Sequence, residues 1–173
     1  MYEYRHPPIK KSIWLLKYGG KKELANIFAE IMHGRILEEL AEFNIMYNFR
    51  EPLLVPIPLS KERYKERGFN QAELICKKLV EIDNNANFKL LKEVLIKPTN
   101  TLHQAKIENR AKRMKNIIGS FAIKDGGGNL ELIKNRNIML IDDVTTTGAT
   151  LSEAKKVLKQ AGAKKIIAFT LAH

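Results

Sequence analysis

The chain reads as an α/β protein: a mostly parallel sheet flanked by helices, preceded by a small helical N-terminal segment. Three observations predict this. Short apolar runs alternate with stretches of helical periodicity, the pattern of strands joined by crossover helices. One apolar run, Asn137–Ile141, ends in two adjacent acids and a loop of small residues that enters a helix. The length of 173 residues and the 45% hydrophobic content suffice for one cored domain, and they exclude a disordered or low-complexity chain.

Each element follows in order. Ile13–Tyr18 is a short apolar stretch closed by Gly19-Gly20. A helix is expected from Lys21, with Leu24, Ile27, Phe28 and Ile31 at i, i+3, i+4 and i+7 on one face. Gly34 interrupts it, and the pattern resumes over Ile36–Phe43. Leu53-Leu54-Val55 reads as a strand running into Pro56-Ile57-Pro58, where two prolines should prevent normal pairing and force a turn. A basic stretch, Arg63–Gln71, leads into a helix to about Val80, with Ala72, Ile75, Cys76 and Leu79 on one face. Asn70 and Glu73 stand where capping residues would. Glu93–Lys97 and Phe121–Ile123 read as strands, and Asp125–Asn129 as a Gly-rich turn. After the acids, Thr145–Thr150 reads as a loop. Leu151, Ala154, Leu158 and Ala161 then define a helix stopped by Gly162, and Lys165–Leu171 is the last strand.

Composition narrows the function. Thirty Lys and Arg against 19 Asp and Glu leave a net charge of +11, which favours polyanions as partners: nucleic acid, phosphorylated small molecules or acidic membrane surface. The lone cysteine, Cys76, excludes an intramolecular disulfide and a multi-cysteine zinc site. His6, His33, His103 and His173 have no metal-ligand spacing. No apolar run approaches the roughly 18 residues of a membrane span. Nothing near Met1–Ser12 resembles a signal peptide, so a cytoplasmic location is expected.

The chemistry concentrates in Ile138–Thr150. Ligands of parallel sheets bind beyond the carboxyl ends of the strands. The small residues after Asp142-Asp143 let backbone N–H groups approach an anion, and the following helix adds free donors and a partial positive charge. Two carboxylates beside a phosphate site would repel the phosphate unless they serve another group. A sugar bearing both a phosphate and a cis-diol resolves that conflict. No Gly-x-x-x-x-Gly-Lys-Ser/Thr or Gly-x-Gly-x-x-Gly occurs, so this is neither of the common nucleotide loops.

This stretch resembles the phosphoribosyl-pyrophosphate (PRPP) motif of type I phosphoribosyltransferases. More specifically, the chain resembles the ComF family of competence-associated proteins. The resemblance extends to Leu16-Lys17-Tyr18-Gly19, to Val55–Ser60 with Arg63 and Arg67-Gly68-Phe69-Asn70-Gln71, and to Gln104, Asn109-Arg110, Arg113 and Asn116 through Phe121. One departure is that many members begin with a cysteine-rich zinc ribbon, which a chain with only Cys76 lacks.

The resemblance implies residue roles. Asp142 and Asp143 would hold the ribose hydroxyls. Thr145, Thr146, Thr147, Gly148, Ala149 and Thr150 would cradle the 5-phosphate. Pro56, Ile57, Pro58, Leu59 and Ser60 match the pyrophosphate loop, with Arg63 and Arg67 adding charge. Gln104, Lys106, Arg110, Lys112 and Arg113 match a flexible loop that closes over the site or meets DNA. Mg²⁺ would travel with PRPP rather than be held directly by the protein. Residues 1–50 would form a helical hood and residues 51–173 the phosphoribosyltransferase-like core, with Trp14, Tyr18 and Phe28 as stacking residues. Single-stranded DNA and other competence proteins are the implied partners. The alternative function is an active transferase that moves ribose 5-phosphate from PRPP to a nucleobase or other small acceptor and releases pyrophosphate.

Overall fold

The computed structural model describes residues 3–4, 6–98, 117–126 and 128–173. Its centre is a four-stranded parallel sheet in the order β2-β1-β5-β6. The strands are β1 (Leu53–Pro56), β2 (Lys89–Leu90), β5 (Asn137–Val144) and β6 (Lys165–Ala172). A separate antiparallel pair, β3 (Leu95–Ile96) and β4 (Ala122–Ile123), lies outside that sheet. The helices are α1 (Pro7–Tyr18), α2 (Leu24–Tyr47), α3 (Lys61–Arg67), α4 (Gln71–Asp83), α5 (Asn129–Ile133) and α6 (Ala149–Gln160).

Side-chain alternation along the strands divides the core in two. Leu54, Met139, Ile141, Phe169 and Leu171 pack with Ile13, Leu16, Phe28, Ile36, Ile75 and Leu79 of α1, α2 and α4. Leu53, Val55, Ile138 and Leu140 pack on the opposite face with Ala154 and Leu158 of α6, Ile133 of α5, and Leu95 and Phe121 beside the small sheet. The N-terminal helices therefore share one core with the sheet.

Several elements differ from expectation. Pro7, at the first helical position with its ring already set to helical φ, starts α1 well before Ile13. Gly34 does not interrupt α2. A helical glycine costs only about 1 kcal/mol relative to alanine, and the stripe Ala25, Phe28, Ala29, Met32, Ile36 and Leu40 anchors both flanks. That stripe is rotated from the expected one, so Ile27 and Ile31 are exposed. Pro56 pairs within β1, opposite Ile141. Parallel strands donate alternately to either side. Ile57 N–H donates to Ile141 O at 2.9 Å, so the donor Pro56 lacks would face β2, which has ended at Leu90. The expected 93–97 strand shrinks to β3 and joins β4 rather than the parallel sheet. The short elements α3, α5 and β2 were not expected. The 71–83 helix is capped by Asn70 alone, whose Oδ1 accepts from Ala72 N–H at 3.0 Å, while Glu73 pairs with Lys77.

Among the described residues, no helix is long and apolar enough to cross a membrane.

Candidate functional site

β5 is flanked by β1 and β6 and carries its acids inside the strand, beyond the expected end at Ile141. Asp143 continues the alternation of Met139 and Ile141 toward the N-terminal helices and is 3% exposed. Its Oδ2 lies 2.5 Å from Lys17 Nζ on α1, and its Oδ1 accepts from Val144 N–H at 3.0 Å. Asp142 Oδ1 accepts from Asp143 N–H at 2.8 Å. Desolvation, then the charge and side-chain hydrogen bond of Asp143, push the Asp142 carboxyl well above its ordinary pKa, with Lys17 opposing. The two acids thus sit in unlike surroundings: one is tied to an ammonium, the other is held toward its neutral form.

Past the acids, Thr145 N–H donates to the last residue of β6, Ala172 O, at 3.0 Å. Gly148 adopts φ +74°, a conformation that strains any residue with a Cβ, and open space surrounds the place a Cβ would take. This turn starts α6. The expected loop therefore ends at Gly148, and Ala149 and Thr150 belong to the first helical turn. Thr147 Oγ1 accepts weakly from Ala149 N–H at 3.4 Å. The N–H groups of Thr150 and Leu151 point out of the helix end, where no intrahelical carbonyl can reach them.

The 56–60 segment arrives beside this turn because β1 pairs with β5. It is fixed by Asn70, whose Nδ2 donates to Ile57 O at 3.0 Å while its Oδ1 caps α4. Ser60 is the N-cap of α3, its Oγ accepting from Arg63 N–H at 3.4 Å. Arg63 and Arg67 therefore ride a helix rather than a turn. Arg67 Nη1 donates to Gln71 Oε1 at 3.0 Å and Nη2 to the Tyr18 hydroxyl at 2.8 Å. Its Nε is buried with no hydrogen-bond partner among the described residues.

Of the aromatics expected to stack, Phe28 is core, at 3% exposure, whereas Trp14 and Tyr18 are exposed. Gln104, Lys106, Arg110, Lys112 and Arg113 lie outside the described residues.

Three residues around the candidate site were not among the site residues expected from the sequence. Lys17 and Asn70 fall within segments that carry the family resemblance, which was the one available signal. Lys97, at the end of β3, gave none. Its ammonium stands over the Phe121 ring at 5.4 Å. Desolvation holds its pKa below the ordinary value, Arg63 lowers it further, and Asp142 acts in the opposite sense. Lys97, Arg63 and Asp142 thus share one electrostatic neighbourhood.

The phosphoribosyl transferase domain family matches residues 79–173. The chain is 37% identical over 155 residues to the competence protein ComFC of Streptococcus pneumoniae, covering 90% of this chain and 59% of that protein. It is 26% identical over 166 residues to the DNA utilization protein YhgH of Escherichia coli, covering 92% of this chain and 65% of that one. The chain spans about three fifths of the length of these curated relatives. A hypoxanthine phosphoribosyl transferase from Trypanosoma cruzi superposes with a TM-score of 0.50 at 10% identity, covering 86% of this chain and 64% of that one. That likeness speaks for the fold alone. Together, the acid pair closing a central parallel strand, the glycine-started turn beyond it and the matched residues place this chain in the phosphoribosyl transferase domain family, among relatives that include the ComF competence proteins.

Proposed function

We propose that this chain binds PRPP and handles single-stranded DNA during natural competence, in the cytoplasm and alongside other competence proteins. The observation that carries the PRPP half is the juxtaposition at the end of β5: two carboxylates in unlike surroundings, followed at once by the Gly148 turn and the open end of α6. Asp142 accepts from the ribose hydroxyls, while Asp143, buried and tied to Lys17, fixes the strand end behind it. Residues Thr145–Thr150 take the 5-phosphate through backbone N–H groups and hydroxyls. The Pro56–Ser60 segment faces the diphosphate, and Arg67, on the helix that follows it, adds the charge of a guanidinium. Arg63 and Lys97 add positive potential on the same side. Mg²⁺ enters with the diphosphate and takes its ligands mainly from it and from water. The names of the relatives and the +11 charge support the DNA half.

The test is a fluorescence-anisotropy titration of labelled single-stranded DNA, with and without Mg²⁺ and PRPP, at two salt concentrations. Binding that shifts when PRPP is added is the expected result and identifies two coupled sites. A steep salt slope assigns the affinity to phosphate contacts. Absence of binding near physiological salt overturns the DNA half. Calorimetry with Mg²⁺ and PRPP tests the other half independently, and pyrophosphate release across a panel of acceptors tests for transfer.

A further inference from the structure

We infer that the exposed edge of α1 formed by Trp14 and Tyr18, with Arg67 beside it, is a stacking surface for the bases of single-stranded DNA. This rests on the reading that the chain handles single-stranded DNA, and it places the contact on the N-terminal helix rather than on residues 104–113.

Trp14 and Tyr18 are four residues apart on one helix, so they share a face. They are 56% and 50% exposed, with ring centroids 6.1 Å apart and planes tilted by 44°. The helix already buries Ile13 and Leu16 in the core, so the aromatics are surplus to its packing. Arg67 lies over one face of Tyr18 and leaves the other to a base. The Tyr18 hydroxyl accepts from Arg67 at 2.8 Å, and the guanidinium carbon lies 4.9 Å from the ring centroid. Two residues after Arg67, Phe69 carries the Lys22 ammonium over its ring at 4.8 Å. One turn before Trp14, Lys10 and Lys11 are exposed.

Charge and chemistry select the occupant. α1 carries no acid, and with Lys17 tied to Asp143 its exposed lysines are Lys10 and Lys11, which fits a polyanion. π-faces interleaved with cations fit a partner whose own planar rings alternate with phosphates. No donor or acceptor array for reading base edges is required, because every base has a π-face. From Lys10 to Tyr18 the helix rises roughly 12 Å, enough for a short run of bases. A lipid surface is the weaker fit: the aliphatic side chains Ile13 and Leu16 are buried and none on α1 is fully exposed, which leaves two aromatics and no aliphatic face to insert.

Trp14 is the only tryptophan in the chain, so its emission reports on this surface directly. An oligothymidylate is titrated into the whole chain while Trp14 emission and the anisotropy of a labelled oligonucleotide are followed together. The expected result is quenching with the same midpoint as the anisotropy rise. Trp14→Ala should weaken binding at least about fivefold, at an unchanged salt slope and an unchanged melting temperature, and Trp14→Phe should restore most of it. Three results overturn the inference. In the first, DNA binds with Trp14 emission unaltered and Trp14→Ala at full affinity, in which case the DNA reading stands and only its placement fails. In the second, thymidine monophosphate alone quenches as strongly at the same concentration, or anionic vesicles quench where the oligonucleotide does not. In the third, no DNA binds by either signal, in which case the underlying reading fails too.

Discussion

Lys17 and Asp143 tie the N-terminal helix to the end of the central strand, and replacing Lys17 by Met should expose what that tie is worth. The atoms lie 2.5 Å apart, with side-chain exposures of 18% and 4%. An exposed ion pair contributes at most about 1 kcal/mol. Removing one partner of a buried pair costs about 3–5 kcal/mol, because a charge is left desolvated and uncompensated. The burial of Asp143 puts this pair in the second class, and the partial exposure of Lys17 puts it at the lower end, about 3 kcal/mol. For a chain of this length that lowers the melting temperature by about 6–12 °C. Urea denaturation followed by circular dichroism measures it. The double variant Lys17→Met/Asp143→Asn supplies the control. With no carboxylate left behind, most of the loss should return, giving a coupling of about 2 kcal/mol. A single-variant loss below about 1 kcal/mol, or strictly additive variants, would refute the reasoning and class the pair with surface ion pairs.

Further outcomes follow from the same geometry. Asn70→Ala removes an N-cap worth about 1 kcal/mol and a hydrogen bond to Ile57 O of similar worth, for a loss of about 2 kcal/mol. Asn70→Ser keeps the cap and should recover about half; equal destabilisation by both variants in urea would rule out the capping share. Gly148→Ala meets open space but places a Cβ at φ +74°, so a loss of about 1–2 kcal/mol is expected from backbone strain alone, and an unchanged thermal melt would contradict it. The raised pKa of Asp142 means that the fold binds a proton there more tightly than the unfolded chain does. That contribution to stability is present at low pH and is lost as pH rises above the ordinary value of 3.8. Asp142→Asn should therefore be more stable than the parent at neutral pH, by a margin that shrinks on acidification. A variant less stable than the parent at neutral pH would reverse that sign.

The sequence by itself determined the class of the fold and pointed to the candidate site at the end of β5. Both are written in local patterns: apolar runs, helical periodicity, and an acid pair followed by small residues that only a strand, a tight turn and a helix start accommodate. Tertiary structure decided the rest. Gly34 could not break α2, because packing on both sides outweighs a cost of about 1 kcal/mol. α3 carried no periodic signal, because it buries no residue, and only Ser60 and Gly68 mark its ends. Residues 95–96 left the parallel sheet because their partner lies at 122–123, a pairing that no local pattern records. The long-range side-chain partners were hidden for the same reason. Lys17 reaches Asp143 across 126 positions, and Tyr18 reaches Arg67 across 49. Trp14, Tyr18 and Phe28 look alike in sequence. Which of them faces solvent depends on how α1 and α2 are rotated against the sheet, and that rotation is set by the competition of all their apolar side chains for one core.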